Sequence, residues 1–290
     1  MTNEKFFPTG NERKKVVEEN QKQTVSFQEK GKSMIQDSHY YTDVDSPLEG
    51  SMVDTGNSFS FSFHEIIPQG YINMRDYIEK NLAEKKGHAV GIEFGGLGYN
   101  LFAGFDRGFF KKSLGVTLVD HRMDSWKQQD EKIAEEKKLD HTVVEGNILS
   151  PDLYKNLEKK LDKKKADLVI ERMFRGLEFM PQEPYEIGKV LQKWYSMLNE
   201  NGMMFVQVPV VFNNLLEKWG LMIQKGYGHV IELRYKKGKY DMGRVDDPSV
   251  FILKKLKGAP EKLPFLDPRT VQETEKNTDI NYYEKRNTEN

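Results

Sequence analysis

The sequence predicts an α/β fold: an open, doubly wound sheet of about seven strands, mostly parallel with a terminal antiparallel pair. Three observations carry that prediction. From His88 onward, short β-branched runs alternate with longer amphipathic stretches, the order of a parallel sheet covered by helices. Each run is almost continuously apolar, as a strand buried on both faces requires. The last two runs, Tyr227–Tyr235 and Ser249–Leu256, are joined by Lys236–Pro248, a connector rich in Gly, Asp and Lys with no helical pattern. A parallel crossover normally needs a dozen or more residues, usually helical, so this pair is expected to be antiparallel.

Taken in order, residues 1–55 hold 10 Leu, Ile, Val and Phe, about 18% of the segment, too few to offset the entropy of ordering it. A weakly ordered N-terminal arm is expected there. Residues 56–87 form a docking segment and a helix. Ser58-Phe59-Ser60-Phe61-Ser62-Phe63 alternates with period two, which predicts a half-buried extended stretch, and Tyr71, Met74, Tyr77, Ile78 and Leu82 recur at helical spacing before Gly87. Residues 88–257 form the main domain. Its parallel strands are predicted at Ala89–Phe94, Leu114–Asp120, Thr142–Ile148, Asp167–Phe174 and Met203–Val208. Ser150-Pro151 supplies a helix cap and a first-turn proline before Leu153, Leu157 and Leu161. Ile187, Val190, Leu191, Trp194, Tyr195 and Leu198 form a wide apolar stripe that stops at Asn201-Gly202. Residues 258–290, with Pro260, Pro264 and Pro268, read as a polar, mobile tail.

Composition removes several classes of function. The 290 residues suffice for a sizeable core. Lys+Arg 44 against Asp+Glu 45 leaves a net charge of −1, so no global field draws the chain to nucleic acid or an anionic membrane. With Cys 0, there is no disulfide, thiolate metal site or cysteine nucleophile. The six histidines lack metal-ligand spacing, so no metal is expected. The N-terminus lacks the pattern of a secretory signal, and the longest apolar stretch, Met203 to Phe212, falls well short of the roughly 18 residues that span a bilayer. A cytoplasmic protein without membrane contact is the expectation.

The chemical centre is the turn after the first run, Glu93-Phe94-Gly95-Gly96-Leu97-Gly98. Glycines at 95, 96 and 98 permit a sharp strand-to-helix turn and the close approach of a ligand, and a helix N-terminus there favours an anion. Asp120 follows Gly98 by 22 residues and ends the second predicted run, where its carboxylate can accept from ribose hydroxyls. A nucleoside-bearing ligand is implied. The competing reading is that the glycines serve tight packing alone.

These residues, with five parallel runs and a closing antiparallel pair, resemble the class I S-adenosylmethionine-dependent methyltransferases, a seven-stranded Rossmann-like family, over about Tyr71 to Leu256. The resemblance implies S-adenosylmethionine as cofactor. Glu93, Gly95, Gly96 and Gly98 match the acid and turn that hold its methionine part, and Asp120 matches the acid that binds ribose. Gly146, Asn147 and Ile148 stand where the family holds adenine, with Asn147 replacing the usual carboxylate and Leu97 occupying a place commonly taken by glycine. A nicotinamide-dependent oxidoreductase would instead need a third glycine at position 101, which is Leu.

Methyl transfer from a sulfonium is an in-line displacement, so the protein mainly positions the partners and removes a proton where needed. The rim beyond the strand ends offers Glu171, Arg172 and Arg175 as candidate catalytic residues, with Pro209 after the fifth run. Glu171 suits a base or an acceptor for the cofactor's ammonium. A structural pair with Arg172 or Arg175 is its alternative. Cytosine-C5 methylation needs a cysteine and is excluded. Glu171-Arg172-Met173-Phe174 replaces the Asn-Pro-Pro-Tyr type of motif of enzymes acting on exocyclic amines, which argues against base methylation. The lysines at 159, 160 and 163–165 fit a solvated helix end better than an RNA contact. A small molecule or protein side chain is therefore the expected acceptor, with aromatic residues of about 40–80 shaping its pocket; nothing in the sequence sets an oligomeric state. The alternative from another class is a non-catalytic cofactor-binding or scaffold module of the same fold.

Overall fold

The computed structural model describes Lys22 and residues 58–118, 120, 122, 124–172, 184–208, 210–238 and 248–264. Seven strands form one sheet in the order β3-β2-β1-β4-β5-β7-β6. They are β1 (Ala89–Phe94), β2 (Phe110–Thr117), β3 (Asp140–Glu145), β4 (Ala166–Glu171), β5 (Leu198–Val208), β6 (Ile231–Lys236) and β7 (Ser249–Lys255). β1 pairs in parallel with β2 and β4, β2 with β3, and β4 with β5, whereas β7 lies antiparallel between β5 and β6. This is the Rossmann-like arrangement that the sequence predicted. Among the described residues from Ser58 on, the α-helices are α1 (Ser58–Phe63), α2 (Met74–Asn81), α3 (Tyr99–Phe102), α4 (Asp124–Lys137), α5 (Pro151–Lys160), α6 (Pro184–Ser196) and α7 (Asn213–Tyr227).

The two-residue period of the strands divides the core into two layers. Leu168, Ile170, Met203, Phe205, Val250 and Ile252 face α1, α2 and α3, while Val169, Met204, Val206, Phe251 and Leu253 face α5, α6 and α7. At the sheet centre β1 and β4 are buried along their whole length. Trp194 of α6 stacks on Phe94 at 4.6 Å, and Trp219 of α7 meets Phe251 edge-on at 5.3 Å. The predicted cap of α5 is present, with Ser150 accepting from the Asp152 N–H and Pro151 in the first turn.

Several local expectations are corrected. Ser58–Phe63 is a helix, not an extended stretch. Residues i and i+4 share a helix face as surely as i and i+2 share a strand face, so the alternation fits both, and packing decides: Phe59 and Phe63 are buried and 5.3 Å apart, while Phe61 is 70% exposed. β2 begins at Phe110 rather than Leu114, because Phe110 sits in a cluster with Phe102, Phe105 and Phe109 that anchors the strand start. It ends at Thr117, so Asp120 lies in the loop beyond it. β3 stops at Glu145, because Asn147 turns the chain by accepting the Leu149 N–H at 2.9 Å. β4 stops at Glu171.

Gly258–Pro264 is packed down rather than loose. Tyr195 donates its hydroxyl to the Pro260 carbonyl at 2.8 Å, Trp219 donates its indole N–H to the Pro264 carbonyl, and Leu263 is buried. Two buried aromatic polar groups need acceptors, and this segment provides them. The expected arm over 1–55, apart from Lys22, and the rest of the tail lie outside the described residues.

Candidate functional site

The carboxyl ends of β1, β2, β3 and β4 lie side by side, with Phe94 in register with Val116 and Glu171, and Thr117 with Glu145. The glycine turn rests on this edge. Gly95 and Gly98 take φ of +84° and +83°, and Gly95 donates its N–H to the Val116 carbonyl at 2.8 Å. A side chain at Gly98 would strike His141, and one at Gly115 of β2 would strike the Leu97 carbonyl, so these two glycines allow the turn to lie directly on β2. The following helix, α3, spans four residues. So short a helix builds little macrodipole, and the anion site expected at its N-terminus is not a feature of this turn.

Glu93 lies beneath the turn and is fully buried. Its Oε1 accepts from Arg172 Nε, while Oε2 has no hydrogen-bond partner among the described residues. A Cβ at Gly96 would collide with Glu93 Oε1 and crowd Arg172 Nη2, so the absence of a side chain there creates the space above this pair. Among the described residues Arg172 forms an ion pair with Glu93, across the β1–β4 seam. Arg172 also donates its backbone N–H to the Phe94 carbonyl at 2.7 Å. Glu171, equally buried, accepts the Gln207 N–H at 2.7 Å, and Gln207 Nε2 donates to Ser62 Oγ at 3.3 Å, which ties the β4 rim to β5 and α1. Arg175 and Pro209 lie outside the described residues.

Asp120 is held by Arg122 in a fork, Nε to Oδ1 at 2.9 Å and Nη2 to Oδ2 at 2.7 Å. Burial raises the Asp120 carboxyl, and the Arg122 hydrogen bonds and charge overcome this, leaving it below the usual carboxylate range. The third arm of the guanidinium, Nη1, donates to Asp130 of α4 at 2.6 Å, and its carbon lies 5.0 Å from the centre of the Tyr99 ring. Burial outweighs the same cation at Asp130 and raises its carboxyl. The Asp120 N–H donates to Glu145 Oε1 at 3.1 Å, so this loop is also bound to the end of β3.

His141 of β3 supports the turn from below. Its Nε2 lies 2.7 Å from the Leu97 carbonyl and its Nδ1 2.6 Å from Ser113 Oγ. A carbonyl only accepts, which assigns the proton to Nε2 and makes Nδ1 the acceptor of the serine hydroxyl. Burial pushes the imidazole down to about 4, so it is neutral at pH 7. Sequence reasoning missed His141, Arg122, Tyr99 and Gln207. The one available signal was an arginine two residues after Asp120 and eight before Asp130.

At the third strand end, Gly146 donates its N–H to the Thr117 carbonyl at 2.8 Å. Ile148 is buried in the core, and its carbonyl accepts the Tyr154 hydroxyl at 2.8 Å. Asn147 Oδ1 accepts from Leu149 and retains a second lone pair. Glu93, the penultimate residue of β1, and Asp120 and Asn147, just beyond β2 and β3, thus lie at the ends of three adjacent strands, with the turn above the first.

Among the described residues no helix is long and apolar enough to cross a membrane. No protein-family model matches the chain, nor does any curated protein. Solved structures do match. One, from Streptococcus mutans and described as a SAM-dependent methyltransferase, is 14% identical over 63% of this chain and 49% of its own, with a TM-score of 0.38. The present chain thus spans about half the length of that protein. An rRNA methylase from Streptococcus thermophilus is 13% identical over 62% of this chain and 94% of its own, with a TM-score of 0.36. PKMT2 from Rickettsia typhi, in complex with AdoHcy, is 20% identical over 49% of this chain and 25% of its own, with a TM-score of 0.30.

Proposed function

We propose that this chain binds S-adenosylmethionine at the carboxyl ends of β1–β3 and transfers its methyl group to an acceptor seated beyond β4. The observation that carries the reading is Glu93, a buried carboxylate whose Oε2 has no partner among the described residues, beneath a turn kept open by Gly96. A buried anionic oxygen without a donor is costly, and an ammonium group supplies one. Asp120 answers the other end of the same ligand. Oδ1 accepts twice from Arg122, from Nε and from the backbone N–H, whereas Oδ2 accepts once, from Nη2, and keeps lone-pair capacity for a ribose hydroxyl. Asn147 supplies a neutral acceptor for the adenine amino group.

Bound in this way, the cofactor supplies an electrophilic methyl group for in-line displacement. The chain contributes position and proton handling. Arg172 acts on Glu93, fixing the carboxylate under the turn rather than reaching for the acceptor. Glu171, anchored on the Gln207 N–H, is assigned the proton that the acceptor loses. The acceptor is assigned to small molecules or protein side chains, since the net charge of −1 provides no general attraction to a nucleic-acid backbone.

A non-catalytic module is the second reading. One observation favours it: both acids expected to face the ligand already carry arginine partners. Turnover separates the two. Incubation with S-adenosylmethionine and fractionated metabolites or proteins yields S-adenosylhomocysteine if the chain is an enzyme, and Glu171→Gln slows this about 100-fold, within the usual range for a general base. Cofactor binding without turnover against any fraction establishes the module instead.

A further inference from the structure

We propose that His141 is a positioning residue that fixes the height of the glycine turn over Glu93, and that it thereby sets how strongly the site holds the amino-acid end of its ligand rather than the nucleoside end. The inference rests on the S-adenosylmethionine reading above and deepens it. The turn is pinned at two points that flank Gly96. On one side Gly95 donates its N–H to the Val116 carbonyl of β2 at 2.8 Å; on the other the Leu97 carbonyl accepts from His141 Nε2 of β3 at 2.7 Å. Gly96, between them, is the residue whose missing side chain opens the space over the buried Glu93 carboxylate. A shift of Leu97 therefore moves the roof of that space.

The Leu97 carbonyl depends on this side-chain donor. The ladder of α3 starts one residue later, where the Phe102 N–H reaches the Gly98 carbonyl at 2.9 Å, and the Leu97 carbonyl itself is pressed against Gly115 of β2, where a Cβ would collide with it. A buried carbonyl left without a donor is costly, and the imidazole supplies one. Two neighbours fix the ring. The Ser113 hydroxyl, 2.6 Å from Nδ1, keeps the proton on Nε2, and the Tyr99 ring packs against the imidazole with its centre 4.1 Å away. Gly98 serves the same contact, because a Cβ there would strike the imidazole. Glutamine can also present an N–H to Leu97, whereas phenylalanine keeps a ring against Tyr99 and offers the carbonyl nothing. In the proposed binding mode the amino-acid end of the ligand meets Glu93 beneath the turn. The nucleoside end meets Asp120 and Asn147, which are held by Arg122 and by the Leu149 N–H instead.

The test compares, by calorimetry on the full chain, the affinities for S-adenosylhomocysteine and for methylthioadenosine, which keeps the nucleoside and the sulfur but lacks the amino and carboxyl groups; melting temperature is measured alongside. The wild type is expected to bind S-adenosylhomocysteine on the order of tenfold more tightly. His141→Phe is expected to bring that ratio to within about twofold while leaving methylthioadenosine affinity nearly unchanged, and His141→Gln to keep at least about half of the ratio. If His141→Phe does not fold, Ser113→Ala carries the test: it frees the proton to leave Nε2 and is expected to lower the ratio to about threefold. Variants that melt earlier but keep the wild-type ratio overturn the inference and make His141 a packing residue. A phenylalanine variant that weakens both ligands equally, or a glutamine variant as impaired as the phenylalanine one, also overturns it. A wild type that binds both ligands equally overturns the inference and leaves a nucleoside site on β1–β3 standing. A wild type that binds neither overturns both readings.

Discussion

Asp120 and His141 show how single residues acquire roles from neighbours that are distant in sequence. Asp120→Ala removes the proposed ribose acceptor and leaves Asp130 as the carboxylate partner of Arg122, so affinity for S-adenosylhomocysteine is expected to fall by about 1–3 kcal/mol in calorimetry. Unchanged affinity would place the ligand elsewhere. His141 makes a prediction in pH. Its folded value of about 4 lies below the ordinary 6.5, so the unfolded chain binds the proton more readily between these values. The contribution of His141 to stability is complete above about pH 6.5 and diminishes as pH falls toward 4, by about 2 kcal/mol at pH 5. Urea titrations should show the wild-type advantage over His141→Gln shrinking from pH 7 to pH 5; an advantage constant with pH would contradict the neutral, buried assignment. The Glu93 turn was legible in the sequence because a glycine turn is a local backbone requirement. Arg122 and His141 were not, because an arginine in a loop and a histidine in a strand say nothing of their partners until β2, β3 and α4 are assembled.

At the scale of elements, α1 gives the clearest contrast between pattern and packing. Phe63 is buried and meets Phe205 edge-on at 5.5 Å, whereas Phe61 points outward. Phe63→Ala is expected to cost about 3–5 kcal/mol in chemical denaturation, and Phe61→Ala less than about 0.5 kcal/mol. Equal losses would restore the extended reading, in which all three phenylalanines share one face. The identity of β1 and β4 was legible because fully buried strands leave continuous apolar runs. Strand ends were less so. A strand stops where hydrogen bonding finds another use for the backbone, as with Asn147 and the Leu149 N–H, and starts where packing anchors it, as with Phe110 in its aromatic cluster.

At the scale of the whole molecule, the carboxyl ends of β1–β4 collect the turn, Asp120, Asn147 and Glu171, where the proposed site lies. Five parallel strands and a terminal antiparallel pair were readable from alternation and a non-helical last connector, while the packing of Gly258–Pro264 was hidden because it rests on two backbone carbonyls and the single buried Leu263. Among the described residues both core layers are built from Phe59 onward, so a chain lacking residues 1–57 is expected to melt within about 4 °C of the full one, a shift corresponding to less than about 1 kcal/mol. It should lose turnover if the aromatic residues before α1 shape the acceptor pocket; full turnover would exclude them. Calorimetric titration of the full chain with S-adenosylhomocysteine and, separately, with a nicotinamide dinucleotide decides whether the β1–β3 edge holds a methyl donor. Saturable heat is expected with the first, weakened by Asp120→Ala, and none with the second; heat with the dinucleotide alone rules the methyl-donor site out.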